Sequence, residues 1–186
     1  MAGKMKKSSS VPKSSKKQLC RKPTAMGKHI LIQKPGPTKK MRDLSFSLVI
    51  KTTNTSPQHG ILMNRFEEPD SKILSISSTP VTVYNARTQE HEDVSDAELK
   101  APGFVGSYII LFDELVDDTG NRLHKTQRTF TNKKGYFTCM EVISLILKFE
   151  RIHRPKTKWF GGVDCHHTYY EGLHGRDHYY TVSWGS

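Results

Sequence analysis

Residues 138–155 read TCMEVISLILKFERIHRP. Thr138 and Glu141 make a T-x-x-E capping box, in which each side chain satisfies an amide that the helix leaves orphaned. Apolar residues follow at Val142, Ile143, Leu145, Ile146, Leu147, Phe149 and Ile152, a stripe broad enough to bury one face. Lys148, Arg151 and Arg154 lie toward the C-terminal end, where the helix dipole favours cations, and Pro155 stops the helix. This spacing predicts a helix over about 139–152. No other segment carries a comparable helical signal.

Working outward, the pattern changes to short strands. In residues 44–50, LSFSLVI, the apolar Leu44, Phe46, Leu48 and Ile50 alternate onto one face. An earlier strand is expected at 29–33, ending at the Lys34-Pro35-Gly36-Pro37 turn that no helix could cross. Further strands are expected at 60–63, 73–76 and 81–84, separated by turn residues. Residues 86–102 read as an acidic, polar connection with a short helical turn at 95–100. Residues 104–112 read as one apolar strand. It should pair with 126–131 across the turn at 117–121, and 132–135 makes another turn. After the helix, strands at 167–173 and 178–184 close the body, joined through 174–177.

Strands and helices do not alternate, which argues against a doubly wound fold. The expected class is α+β and β-rich: about eight or nine short, mostly antiparallel strands with one well-capped helix (about 139–152), preceded by a disordered basic arm. The expected domains are an arm at 1–27 and a single globular domain at 28–186.

That arm carries the strongest functional signal. Residues 1–42 contain 13 Lys and Arg and no Asp or Glu, while the remaining 144 residues contain 16 basic and 18 acidic side chains. The net charge of +11 therefore describes a basic arm on a nearly neutral body. A run of like charge cannot pack a core but can neutralise a polyanion. Residues 1–27 are dominated by Lys, Ser and Pro with no helical or strand period, the composition of a disordered segment. The cations fall in groups: Lys4, Lys6 and Lys7; Lys13, Lys16, Lys17, Arg21 and Lys22; then Lys39, Lys40 and Arg42. These are the candidate nucleic-acid contacts. The first two groups, split by a Ser/Pro spacer, also suit a bipartite import signal. Ser8–10 and Ser14–15 lie between them, so phosphorylation would subtract local charge.

No apolar run approaches the ~18 residues of a membrane span, and the start has charge without an apolar stretch after it. The expected location is intracellular and nuclear. Cys20, Cys139 and Cys165 are an odd number at wide spacing, which reads as free thiols rather than a disulfide framework.

Residues 153–178 gather five of the nine histidines: His153, His166, His167, His174 and His178, with Asp164, Cys165, Glu171 and Asp177 among them. The candidate metal ligands are His166, His167, Glu171, His174, Asp177 and His178. Their spacing matches no metal motif. On a regular strand, His167, Tyr169, Glu171 and Leu173 share one face. His167 and Glu171 then stand roughly 13 Å apart, too far for one ion. Cys165 beside His166 is the one candidate thiolate–imidazole pair, and neighbours on a strand point to opposite faces. No cofactor motif is present. Trp159, Phe160, Tyr169, Tyr170, Tyr179, Tyr180 and Trp184 crowd the last 28 residues. They fit cross-strand packing or a base-stacking platform.

The expected function is a non-enzymatic binding module. Its basic arm contacts nucleic acid or another polyanion without sequence preference, engages an import receptor, or does both, and the body is free to form oligomers. The alternatives are a small viral coat protein with a genome-packaging arm, and a metal-dependent enzyme built on the His/Asp/Glu cluster at 164–178.

Overall fold

Helix α3 forms over Cys139–His153 with both halves of the Thr138/Glu141 capping box made. The Glu141 amide donates to Thr138 Oγ1 at 3.2 Å and the Thr138 amide to Glu141 Oε2 at 2.8 Å. The computed structural model describes residues 34–53, 72–116, 122–159 and 162–186. The arm at 1–27, the expected strands at 29–33 and 60–63 and the turn at 117–121 lie outside the described residues. The described residues fall within one unit, Gln33–Ser186.

Before α3 come β1 (Gly36–Pro37), α1 (Lys39–Asp43), β2 (Leu44–Ser45), β3 (Leu48–Thr52), β4 (Ile73–Ser78), β5 (Thr82–Asn85), β6 (Glu90–Asp93), α2 (Asp96–Lys100), β7 (Pro102–Val105), β8 (Tyr108–Val116), β9 (Arg122–Thr131) and β10 (Tyr136–Thr138). After it come a 3-10 turn at Arg154–Lys156, β11 (Lys158–Trp159), β12 (Gly162–Val163), β13 (Tyr169–Arg176) and β14 (Tyr179–Gly185). The body is α+β and strand-rich, with fourteen strands and three helices among the described residues. Four of the strands are only two residues long, and with the splitting of 44–50 and 104–112 and the unexpected β6 and β10 they raise the count above the eight or nine expected.

The main sheet runs β13-β14-β8-β9. Its β8–β9 and β13–β14 pairs are antiparallel, while β14 meets β8 in parallel through Tyr179↔Ile110 and Tyr180↔Leu111. The remaining strands form the smaller groups β1-β7-β10, β2-β5-β6, β3-β4 and β11-β12. The Tyr170 amide donates to Phe46 O and the Leu48 amide to Thr168 O, both at 2.9 Å. The stretch around Phe46 is thereby tied to β13.

One core joins these layers. From α3 it takes Cys139, Val142, Ile143, Leu145, Ile146 and Phe149. From the strands it takes Phe104, Ile109, Leu111, Phe137, Tyr170, Leu173, Tyr180 and Val182, and Met41, Leu44 and Phe46 come from the α1–β2 segment. Each fully buried large apolar side chain contributes about 1.5–3 kcal/mol. Of the four apolar residues expected on one face, Leu44, Phe46 and Leu48 are buried and Ile50 is half-buried, while Ser45 between them is buried as well.

Several boundaries differ from the sequence reading. Residues 44–50 are not one strand: the segment breaks at Phe46 between β2 and β3, which pair with different partners, β5 and β4. Residues 104–112 are two strands, because Gly106 at φ 141° bends the chain between β7 and β8. The acidic connection at 86–102 contains a strand, β6, whose four residues are all exposed and so carry no hydrophobic period. The helical turn at 95–100 is α2, closed by a Ser95/Glu98 capping box. The final hairpin starts and turns later than expected. β13 runs through His174 to Arg176, and the link is only Asp177 and His178, with Asp177 at φ 57°. Within β13 the register slips between Tyr170 and Gly172. Glu171 is the extra residue of that bulge, so Leu173 turns inward with Tyr170 rather than outward with Glu171.

Candidate functional site

Helix α1 shows how the third basic group is presented. Thr38 caps it, accepting from the Met41 amide at 3.3 Å and donating its own hydroxyl to Pro102 O at 2.9 Å. Met41 is wholly buried. With Met41 anchored inward, the helix turns Lys39, Lys40 and Arg42 to solvent. Lys40 lies 3.8 Å from Glu98 on α2. Lys39 and Arg42 join Lys34 around a cleft of about 520 Å³. Pro35, Gly36, Pro37, Thr38, Val105, Leu173, Gly175 and Tyr180 also line it, and among the described residues no carboxylate does. The Tyr180 hydroxyl lies 3.4 Å from Pro35 O and 3.3 Å from Asp177 O, within donating reach of either. Burial, with the Asp177 charge behind it, holds its phenol above the usual value. The basic groups at Lys4–Lys7 and Lys13–Lys22 lie outside the described residues.

The histidine-rich segment is dispersed. Asp164 and His167 enter a largely buried network whose two parts, the end of α3 and the 164–167 turn, are too far apart in sequence for spacing to assemble. Arg154 Nε donates to Glu150 Oε2 at 2.8 Å and its Nη1 to Asp164 Oδ2 at 3.3 Å. Asp164 Oδ1 accepts from the amides of His166 and His167, and its Oδ2 lies 3.0 Å from His167 Nδ1. Trp184 Nε1 donates to Glu150 Oε1 at 3.0 Å, and the Arg154 guanidinium lies 5.6 Å from the indole. Nearby, His153 stacks on Phe149 and places its Nε2 3.2 Å from Asp113 Oδ2. These groups surround a cavity of about 240 Å³. Burial pushes the Asp164 carboxyl upward. The His167 hydrogen bond, the Arg154 charge and the two amides together outweigh it and leave the carboxyl below its ordinary value.

The other candidates go elsewhere. Glu171 Oε2 accepts from Ser183 Oγ at 3.1 Å. His178 donates Nδ1–H to Tyr108 O at 2.9 Å and stacks on the Tyr108 ring. His174 is exposed on β13, and Asp177 sits in the hairpin turn. His166 is half-buried. Among the described residues no three His, Cys, Asp or Glu side chains converge as metal ligands. Cys139 and Cys165 are free thiols. Burial, reinforced by Asp164, pushes the Cys165 thiol up to about 11, which leaves almost no thiolate at neutral pH. Cys165 is thus a poor nucleophile.

The aromatic cluster divides by burial. Tyr170 stacks on Phe46 at 4.6 Å, and burial drives its phenol far upward. Tyr180 is in the core, and Trp184 packs edge-on against Phe46. Tyr169 and Tyr179 are exposed. Tyr169 is held by a 2.6 Å hydrogen bond to Ser45.

Glu150, Arg154 and Asp113 were missed as site residues, and Trp184, expected among the packing or stacking aromatics, joins the network through its indole N–H. A signal existed for two of the network's members: Glu150 and His153 fall at helical spacing from Val142, Ile146 and Phe149, on the stripe that must be buried. Among the described residues no helix is long and apolar enough to cross a membrane. No family model matches this chain, and no curated protein or solved structure does either.

Proposed function

We propose that this chain is a binding protein for polyanions, with nucleic acid as the ligand, and that both the basic arm and the cleft at α1 supply phosphate contacts. One observation carries the reading: Lys34, Lys39 and Arg42 line one cleft, with no carboxylate among its described lining residues. They belong to the same acid-free stretch, residues 1–42, as the arm. Lysine and arginine that neutralise phosphates release counterions, so affinity arises without base recognition. The candidate ligands of the metal-dependent enzyme alternative take separate partners: Glu171 is held by Ser183, His178 by Tyr108 and His167 by Asp164. The two lysine clusters of the arm also suit an import receptor.

A salt series on an oligonucleotide duplex tests this reading. Lys39→Ala with Arg42→Ala should weaken binding and reduce the slope of log K against log salt by about 0.9 for each phosphate no longer neutralised. Replacing the lysines and arginine of residues 4–22 with glutamine should reduce it further. A slope unchanged by both sets of substitutions removes the proposal.

A further inference from the structure

The last two rungs of the β13–β14 hairpin face different surroundings. Gly175 pairs with Tyr180, and both line the basic cleft. Arg176 pairs with Tyr179 one rung further on, and both are exposed. Successive residues of a strand point to opposite faces and rise about 3.3 Å. The cleft and the exposed ring therefore lie on opposite faces at the same end of the hairpin, and a strand that reaches both passes around its turn at Asp177 and His178.

That ring has company. Tyr179 is 52% exposed and meets Phe112 of β8 edge-on at 6.2 Å. Lys125 of β9 lies 5.8 Å from the Phe112 centroid, while also pairing with Glu114 at 3.5 Å. Further along β8, Tyr108 and His178 stack at 3.7 Å and 17°. The opposite face of these strands supplies Tyr180, Val182, Ile109 and Leu111 to the core. The sheet is held rigidly from behind while it keeps flat π surfaces and cations toward solvent.

We propose that this outer face of the β13-β14-β8-β9 sheet stacks the unpaired bases of single-stranded nucleic acid, with Tyr179 as the central ring. The inference rests on the polyanion reading for its phosphate contacts and adds a preference for single strands. Base–aromatic stacking is tolerant of sequence because every base has a π face. In a duplex those faces are already stacked on each other, so the platform discriminates against it. Arg176, in register with Tyr179, supplies the cation that such platforms pair with their rings.

The test uses the full chain and a 15-nucleotide oligothymidylate, as single strand, as duplex, and as a methylphosphonate single strand with no backbone charge. Tyr179→Ala should lower single-strand affinity roughly 5- to 100-fold, with the salt slope and the duplex affinity within 2-fold of the parent. Tyr108→Ala, on the neighbouring strand, should lower it in the same way. Tyr179→Phe should bind as the parent does, because the ring and not the hydroxyl is used. The neutral strand should bind the parent and lose binding in Tyr179→Ala. Unchanged single-strand affinity in Tyr179→Ala overturns the proposal. So does an equal loss on duplex, or a shift in oligomeric state on sedimentation without loss of binding. Failure of the phosphate reading shows separately, as a salt slope indifferent to Lys39→Ala with Arg42→Ala while the neutral strand still binds.

Discussion

Arg154 and Glu150, four residues apart at the end of α3, meet at 2.8 Å with both side chains almost entirely removed from water. Asp164 holds the other side of the same guanidinium at 3.3 Å. One buried cation thus lies between two buried carboxylates. It ties the helix to the 164–167 turn and, through Trp184, to the last strand. A buried charge group of this kind is expensive to break even where an apolar replacement of the whole set would be neutral.

Glu150→Gln should therefore destabilise the fold by about 3 kcal/mol in urea denaturation. Arg154→Met should cost more, because it leaves Glu150 and Asp164 as two buried carboxylates with no cation between them. Replacing Arg154, Glu150 and Asp164 together by methionine, leucine and asparagine should recover part of the loss. Single substitutions that leave the urea midpoint unchanged would show that the network carries no stability.

Acid stability follows from Asp164. Its carboxyl titrates below the usual carboxylate range in the folded chain, while an unfolded Asp titrates near about 3.9. A depressed folded value means the contribution is fully present above about pH 4 and fades as pH falls through the lower folded value. Urea midpoints from pH 7 to pH 2 should stay flat from this group down to about pH 4 and then drop. Asp164→Asn should lower the midpoint at pH 7 and make that acid drop shallower.

Cys165 should be nearly inert at neutral pH. With its thiol near 11 against about 8.5 for a free cysteine, its thiolate fraction is lower by over two orders of magnitude. Peptide-resolved iodoacetamide labelling of the native protein should find Cys165 slow at pH 7.5, with a rate that climbs through pH 10. In urea it should label like an ordinary thiol. Fast native labelling at pH 7.5 would contradict the burial that raises it.

The capping box at Thr138 should be worth about 1 kcal/mol, so Thr138→Ala should lower stability by that amount. Its hydroxyl satisfies the Glu141 amide, and the Glu141 carboxylate satisfies the Thr138 amide in return. Thr138→Ser should keep most of the stability. A Thr138→Ala chain as stable as the parent would mean that water replaces the cap without cost.

Gly175 sits at φ +157°, and a Cβ there would run into the Tyr179 carbonyl. Gly175→Ala should open the hairpin rung next to the basic cleft and destabilise the protein by more than the usual helix or strand penalty for glycine. Amide exchange at Tyr179 and Tyr180 should accelerate first. Protection unchanged at those two amides would show that the rung tolerates a side chain.

Local chemistry was legible where it depends on neighbours in the chain. The capping box at Thr138, the helical turn at 95–100, the buried stripe of α3 and the inward-facing Leu44, Phe46 and Leu48 all follow from spacing within a few residues. The break at Gly106 was hidden inside a continuous apolar run, and β6 was hidden because all four of its residues face water. The bulge at Glu171 moved Leu173 to the opposite face, since one extra residue inverts every side chain beyond it.

The amino-acid sequence alone determined the charge division of this chain, its β-rich class and the place and caps of its main helix. Each of these is set by composition or by contacts a few residues apart. Only the tertiary structure decided that Lys34, Lys39 and Arg42 line one cleft, and that Arg154 bridges Glu150 and Asp164. It also decided that Tyr179 faces solvent while its neighbour Tyr180 fills the core. Those outcomes depend on strand register and on which distant segments pack together, and a period of two or 3.6 residues carries no record of either.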